Sequence, residues 1–274
     1  MLKKLSTIGL TLFSVALLSV VAVALTADEI LDQMDAEADT LAEGSMISII
    51  RFDNVYSDGT TGTNLFGSLS IPNRSLIYFI EPADVIGTIF LTHEFDEEGV
   101  DSRLWLYLPL LGLPKELVSE DERGGSFAGS SLSYSDLGDR DGEDDYDSVL
   151  IGEEDLVIGD QTRTVYKIES TAVAGADVDN PRNILWIDTE FFIMLKMEAY
   201  NDLGNLSSTM DIVELGEFEG KLTANVMLAT DVSAGSTTTI TILEQRRPDT
   251  EVSEDVFLPE QLNAFDPVLW GFAD

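Results

Sequence analysis

From Ser45 onward the chain alternates short segments rich in β-branched and aromatic residues with clusters of turn residues. This alternation constrains the fold more than any other feature. Val, Ile, Thr, Phe and Tyr suit a pleated, half-buried surface, while Gly, Asp and Asn supply the reversals between segments. The pattern predicts strands over 46–56, 64–71, 75–81, 88–95, 104–108, 149–151, 164–171, 183–187, 194–200, 207–215, 222–230 and 237–245. Asp58-Gly59, Glu98-Gly99, Gly159-Asp160, Asp202-Leu203-Gly204 and Glu219-Gly220 mark turns. Strands in series joined by tight turns pair antiparallel, and this many implies one large curved sheet. The expected fold class is therefore mainly β. No repeat of solenoid type accompanies it.

One helix precedes the strands. Thr26-Ala27-Asp28-Glu29 carries the S/T-x-x-E pattern, whose hydroxyl and carboxylate satisfy free amides of a first helical turn. Ile30, Leu31, Met34, Ala38 and Leu41 then recur at helical spacing, with Asp32, Asp35, Glu37 and Asp39 opposite. Gly44 is a suitable stop. Such an amphipathic helix needs an apolar partner.

Several strands do not alternate. Leu76-Ile77-Tyr78-Phe79-Ile80, Ile89-Phe90-Leu91, Leu104-Trp105-Leu106-Tyr107-Leu108 and Phe191-Phe192-Ile193-Met194-Leu195 are apolar throughout, whereas a one-layer antiparallel sheet normally turns a polar face to water. A sandwich buried on both sides accounts for this. So does a curved sheet whose inner side is an apolar cavity. Composition leaves both open. The segments 109–134 and 136–147, the second acidic, are expected to loop, the first with a short helix. The tail from Pro248 to Asp274 carries Val256, Phe257, Leu262, Phe265, Leu269 and Trp270, a set suited to covering a surface.

The search for catalytic chemistry finds little. With 51 acidic and 15 basic residues the formal charge is −36, which repels phosphate backbones and excludes nucleic acid as a partner. There is no cysteine, hence no disulfide, thiolate metal site or thiol nucleophile. His93 is the one histidine, so an imidazole cluster is excluded and a strand side chain is the expected role. Ser126 follows Gly124-Gly125, but Ala128 stands where the G-x-S-x-G elbow requires glycine. Asp139, Asp141 and Glu143 would place Asp144 at the glycine of a calcium loop. The expectation is no catalytic residue, no metal, no cofactor and no enzyme.

The first residues read as an address. Lys3 and Lys4 precede an uncharged apolar run from Leu5 to Leu25, and Ala22-Val23-Ala24 supplies small residues for cleavage, with Leu25-Thr26-Ala27 a second choice. Residues 1–24 are expected to be a signal peptide and 25–274 a single domain; an uncleaved anchor is the alternative. Either way the body lies outside the cytoplasm.

Gly87-Thr88-Ile89-Phe90-Leu91, then Leu104-Trp105-Leu106-Tyr107-Leu108-Pro109, then Ser126-Phe127-Ala128-Gly129-Ser130-Ser131-Leu132-Ser133-Tyr134-Ser135-Asp136-Leu137 resemble the outer-membrane lipoprotein-sorting family of LolA-like carriers. Ala27-Asp28-Glu29-Ile30-Leu31 and Asp255-Val256-Phe257-Leu258-Pro259 fit its start and close. Ser131-Leu132 departs from the acid and aromatic residues usual there. The resemblance implies an incomplete barrel covered by the N-terminal helix and short helices or loops. It implies a periplasmic carrier whose cavity shields acyl chains of lipoproteins or other lipids, with an inner-membrane transporter as donor and an outer-membrane acceptor. On that reading the cavity draws on Leu69, Ile71, Phe79, Phe90, Trp105, Tyr107, Phe127, Trp186 and Met194, with Arg74 as a lid contact. An outer-membrane β-barrel and an extracellular β-sandwich binding module are the alternatives.

Overall fold

The computed structural model describes residues 25–95, 100–138, 145–176 and 178–273. The expected signal peptide 1–24, the expected Glu98-Gly99 turn and residues 139–144 of the acidic stretch lie outside these residues.

Helix α1 (Ala27–Ala42) begins where the capping pattern places it: the Glu29 N–H donates to Thr26 Oγ1 at 3.2 Å, and the Thr26 N–H donates to Glu29 Oε2 at 2.8 Å. Thirteen strands follow: β1 (Met46–Val55), β2 (Thr61–Ile71), β3 (Arg74–Glu81), β4 (Ile89–His93), β5 (Arg103–Tyr107), β6 (Pro114–Leu117), β7 (Tyr146–Ile158), β8 (Gln161–Ala172), β9 (Arg182–Asp188), β10 (Met194–Tyr200), β11 (Leu206–Phe218), β12 (Lys221–Asp231) and β13 (Ser236–Arg246). They form one antiparallel sheet in the order β6-β5-β4-β3-β2-β1-β13-β12-β11-β10-β9-β8-β7. Two meanders are thus joined where the first and last strands pair, Phe52 opposite Ile240 and Asn54 opposite Thr238. The sheet is mainly β and not closed, as expected. Its edges, β6 and β7, are neighbours in sequence, and the stretch between them carries α2 (Glu120–Arg123) and α3 (Tyr134–Gly138). A single open sheet is neither a closed membrane barrel nor a two-sheet sandwich.

Two strand predictions are corrected. β6 lies inside the expected loop, and β7 runs far beyond 149–151. Glu153-Glu154-Asp155 conceals β7, because an edge strand exposed along much of its length needs no apolar alternation.

Alternating residues assign the sheet two faces. On the first face of β1–β5, Phe52, Phe66, Phe79, Phe90 and Leu104 pack around Phe127, Leu132 and Tyr134 of the 126–138 segment. On the second face, Ile47, Leu69, Leu76, Leu91 and Trp105 pack under Val252, Phe257, Leu262, Trp270 and Phe272 of the tail. The unalternating strands are therefore buried on both sides, β3, β4 and β5 by different segments. The tail reaches the sheet because Gly67 has no side chain: a Cβ there would lie 2.2 Å from the Phe272 ring. The long hairpins β7–β8 and β11–β12 project beyond the β9–β10 turn and meet, with Ile158 and Ile212 in one cluster.

Candidate functional site

Strand register places an apolar row across the first face of the second meander. Ile168, Leu185, Met197, Met210 and Ala229 are successive partners on β8 to β12. One residue along, on the opposite face, Lys167, Trp186, Lys196, Asp211 and Leu228 are partners. One face is thus hydrocarbon and thioether, and the other is largely charged.

The apolar row is covered at its two ends. α1 buries Ala27 and Ile30 against Ile168 and Ile187, with Leu31, Met34 and Leu185 packed around them. From Ala36 onward the helix is largely exposed and tied by polar contacts. Lys221 pairs with Glu37 at 3.0 Å, and Arg247, itself held by Glu219 at 2.9 Å, donates to the Leu41 carbonyl at 3.5 Å. At the other end stands the aromatic cluster, where Phe127 meets Phe52, Phe66, Phe79, Phe90 and Tyr134 with ring centroids 5.4–6.1 Å apart. Between the two covers, Met197, Met210 and Met227 are only partly buried. This strip is the candidate site.

A buried polar chain borders the strip on the aromatic side. The Ser131 N–H donates to Thr238 Oγ1 (2.8 Å), whose hydroxyl donates to Asn54 Oδ1 (2.7 Å), and Asn54 Nδ2 donates to Asn64 Oδ1 (3.0 Å). Ser131 and Leu132, the residues that depart from the family pattern, have roles here: one fastens the loop to β13, the other fills the core.

The expected cavity residues divide between surfaces. Phe79, Phe90 and Phe127 lie on the first face inside the filled aromatic cluster. Leu69, Ile71, Trp105 and Tyr107 lie on the second face under the tail. Met194 opposes Ile187 at the α1 end of the first face. Trp186 lies on the opposite face, buried in a small apolar cluster with Val165 and Ile184; Lys167 and Lys196 stand 4.6 and 4.8 Å from its ring, and its indole N–H donates to Glu154. The nine therefore do not share one wall. Sequence reading missed Met197, Met210 and Met227. Their signal is the alternation of β10 to β12, obscured because Leu195 and Val213 are bulged out of register.

Arg74 is on the second face and reaches the tail. Its Nη1 donates to His93 Nδ1 at 3.0 Å, and Nη2 lies 3.9 Å from Glu254. Arginine has no acceptor, so Nδ1 is unprotonated and His93 Nε2–H donates to the Phe257 carbonyl at 2.7 Å. Burial, with Arg74 and Arg103 nearby, holds the imidazole below its usual 6.5 although the Phe257 carbonyl favours the cation. His93 is a clasp between sheet and tail.

At the base of the second meander Asp188 is 1% exposed. Burial alone would raise its carboxyl. Arg163, at 2.7 and 3.0 Å, and the N–H groups of Phe191 and Glu190 outweigh this and hold it below the usual 3.8. Among the described residues no group of acids and imidazole is placed to hold a metal, and no helix is long and apolar enough to cross a membrane. An open cleft of about 720 Å³ lies elsewhere, beside the tail, between Ile71, Pro72 and Glu251 to Glu254.

An open antiparallel sheet with a helix and an aromatic loop on one face and a strap on the other is the LolA-like fold. A family model described as "Uncharacterized protein" matches residues 72–264, most of the chain, and the chain belongs to that family. Among solved structures, a DUF1329 family protein from Desulfovibrio piger is 24% identical with a TM-score of 0.75, over 86% of this chain and 98% of that one. A putative outer membrane lipoprotein-sorting protein domain from Vibrio parahaemolyticus is 24% identical with a TM-score of 0.71, over 86% and 97%. A LolA superfamily protein from Nitrosomonas europaea is 19% identical with a TM-score of 0.63, over 86% and 98%. No curated protein matches the chain.

Proposed function

We propose that the protein is a periplasmic carrier that shields acyl chains, of lipoproteins or of lipids, on the strip between α1 and the Phe127 cluster. The observation that carries this reading is the contrast between two rows one residue apart, apolar and partly open on one face, charged on the other. Each methylene removed from water contributes about 0.8 kcal/mol, so an acyl chain is strongly held by a dry surface. Methionines suit chains of varied shape, because the unbranched thioether repacks at little cost. α1 supplies the cover. Its N-terminal half is fixed by buried contacts, while its C-terminal half rests on one exposed ion pair, worth about 0–1 kcal/mol, and a long hydrogen bond from Arg247 to the Leu41 carbonyl. Lifting that half would open the strip without unfolding the sheet. Residues 1–24 are the proposed export signal, and the neighbours named for lipoprotein sorting support the same direction.

The test is uptake of a fluorescent acyl chain by the purified mature chain, with mass spectrometry of lipids retained from the host. Met197→Lys is expected to lower uptake at least tenfold while the urea midpoint changes little. Undiminished uptake in that variant, or no lipid retained by the parent, would reject the strip as the site.

A further inference from the structure

The hairpin joining β5 to β6 ends in Leu108-Pro109-Leu110-Leu111-Gly112-Leu113-Pro114, which contains no charge and no side-chain hydrogen-bonding group. Hydrophobic side chains here face solvent: Leu110 is 99% exposed, Leu113 73% and Leu111 66%. Ile86, 50% exposed, stands at the same end of the sheet, since the 82–87 loop abuts Pro109: a Cβ on Gly87 would lie 3.2 Å from Pro109 Cγ. A tip of this composition would ordinarily be selected against in water.

We propose that this tip inserts into the interfacial region of a lipid bilayer, which deepens the carrier reading by assigning the place where the chain touches a membrane. Four observations favour lipid over a protein partner. The tip is convex, so it fits a yielding medium better than it forms a pocket. It lacks the aromatic and arginine anchors and the polar rim of protein interfaces. Its backbone is partly self-satisfied, with the Leu111 and Gly112 N–H groups donating to the Leu108 carbonyl at 2.9 and 3.1 Å, as entry into a hydrocarbon boundary requires. Finally, Lys115 lies on β6 opposite Leu106, just behind the tip and near the level that headgroups would occupy. The bilayer is zwitterionic or weakly charged, because a chain of net −36 is repelled by an anionic surface.

Flotation of the mature chain with phosphatidylethanolamine–phosphatidylcholine vesicles tests this, alongside Leu110→Asp and the double variant Leu110→Asp/Leu113→Asp. Leu110→Asp is expected to lower the floated fraction about tenfold, and the double variant to abolish flotation. Because these side chains touch little of the fold, the urea midpoint should be unchanged, and so should acyl-chain uptake from detergent solution. Equal flotation of parent and variants, or tip-dependent self-association without vesicle binding, would overturn the proposal. Loss of uptake with intact flotation would instead count against the strip.

Discussion

The two meanders are built from the same kind of strand yet differ in what covers them. In β1–β5 both faces are sealed, one by the 126–138 loop and one by the C-terminal tail. In β8–β12 one face carries paired charges around a small buried cluster of Val165, Ile184 and Trp186, and the other carries an apolar row that is only partly covered. A sheet sealed on both sides is a structural member. A sheet left apolar and open on one side has a free surface to use. On the proposed reading, the first region supplies stability and the second supplies the ligand contact.

The largest test of this contrast is Phe127→Ala. Phe127 is 1% exposed amid five rings, and its truncation should cost about 3–5 kcal/mol in urea unfolding. Met210→Ala on the strip should cost less than about 2 kcal/mol. Equal losses would erase the distinction between filled and open regions. Next comes Asp188→Asn, which removes the buried partner of Arg163. It should cost about 2–3 kcal/mol, below the range for fully buried pairs because the arginine still meets water. Since the Asp188 carboxyl sits below its usual 3.8, its contribution is present above that pH and fades as pH falls through the depressed value. The same measurement on Asp188→Asn should show a flatter acid limb.

The smallest effect concerns the tail. His93 has its folded pKa below 6.5, so the stability it gives the clasp is full above that pH and is lost as pH drops from 6.5 toward the lowered value. Amide exchange of residues 252–272 should quicken over that window, and the single imidazole resonance reports the titration directly. His93→Gln, which can still accept from Arg74 and donate to Phe257, should flatten the response. Unchanged pH dependence in that variant would remove the clasp as its cause.

Much of the architecture was legible in the sequence because it rests on local rules. Thr26 and Glu29 announce α1, turn pairs bound most strands, and the Gly87–Leu137 motifs name the fold. The candidate site was less legible. Trp186 reads as a greasy wall, yet register puts it between two lysines, and no local pattern reveals that. Leu195 and Val213 each shift the alternation, so Met197 and Met210 cannot be assigned to a face without knowing where the bulges fall. Phe79 and Trp105 look equivalent by composition but lie on opposite faces, because the 126–138 loop and the tail cover different sides.

The seam between β1 and β13 carries a consequence for biogenesis. A chain threaded through a membrane from its N-terminus delivers β1 early and β13 last, so the inner border of the first meander stays without its neighbour until translocation is nearly finished. Contacts of such long sequence separation form slowly. On the proposed export route the newly arrived half therefore presents a bare, sticky ribbon for most of its passage, and the translocation machinery or a holding chaperone would have to guard it until the final hairpin closes the gap.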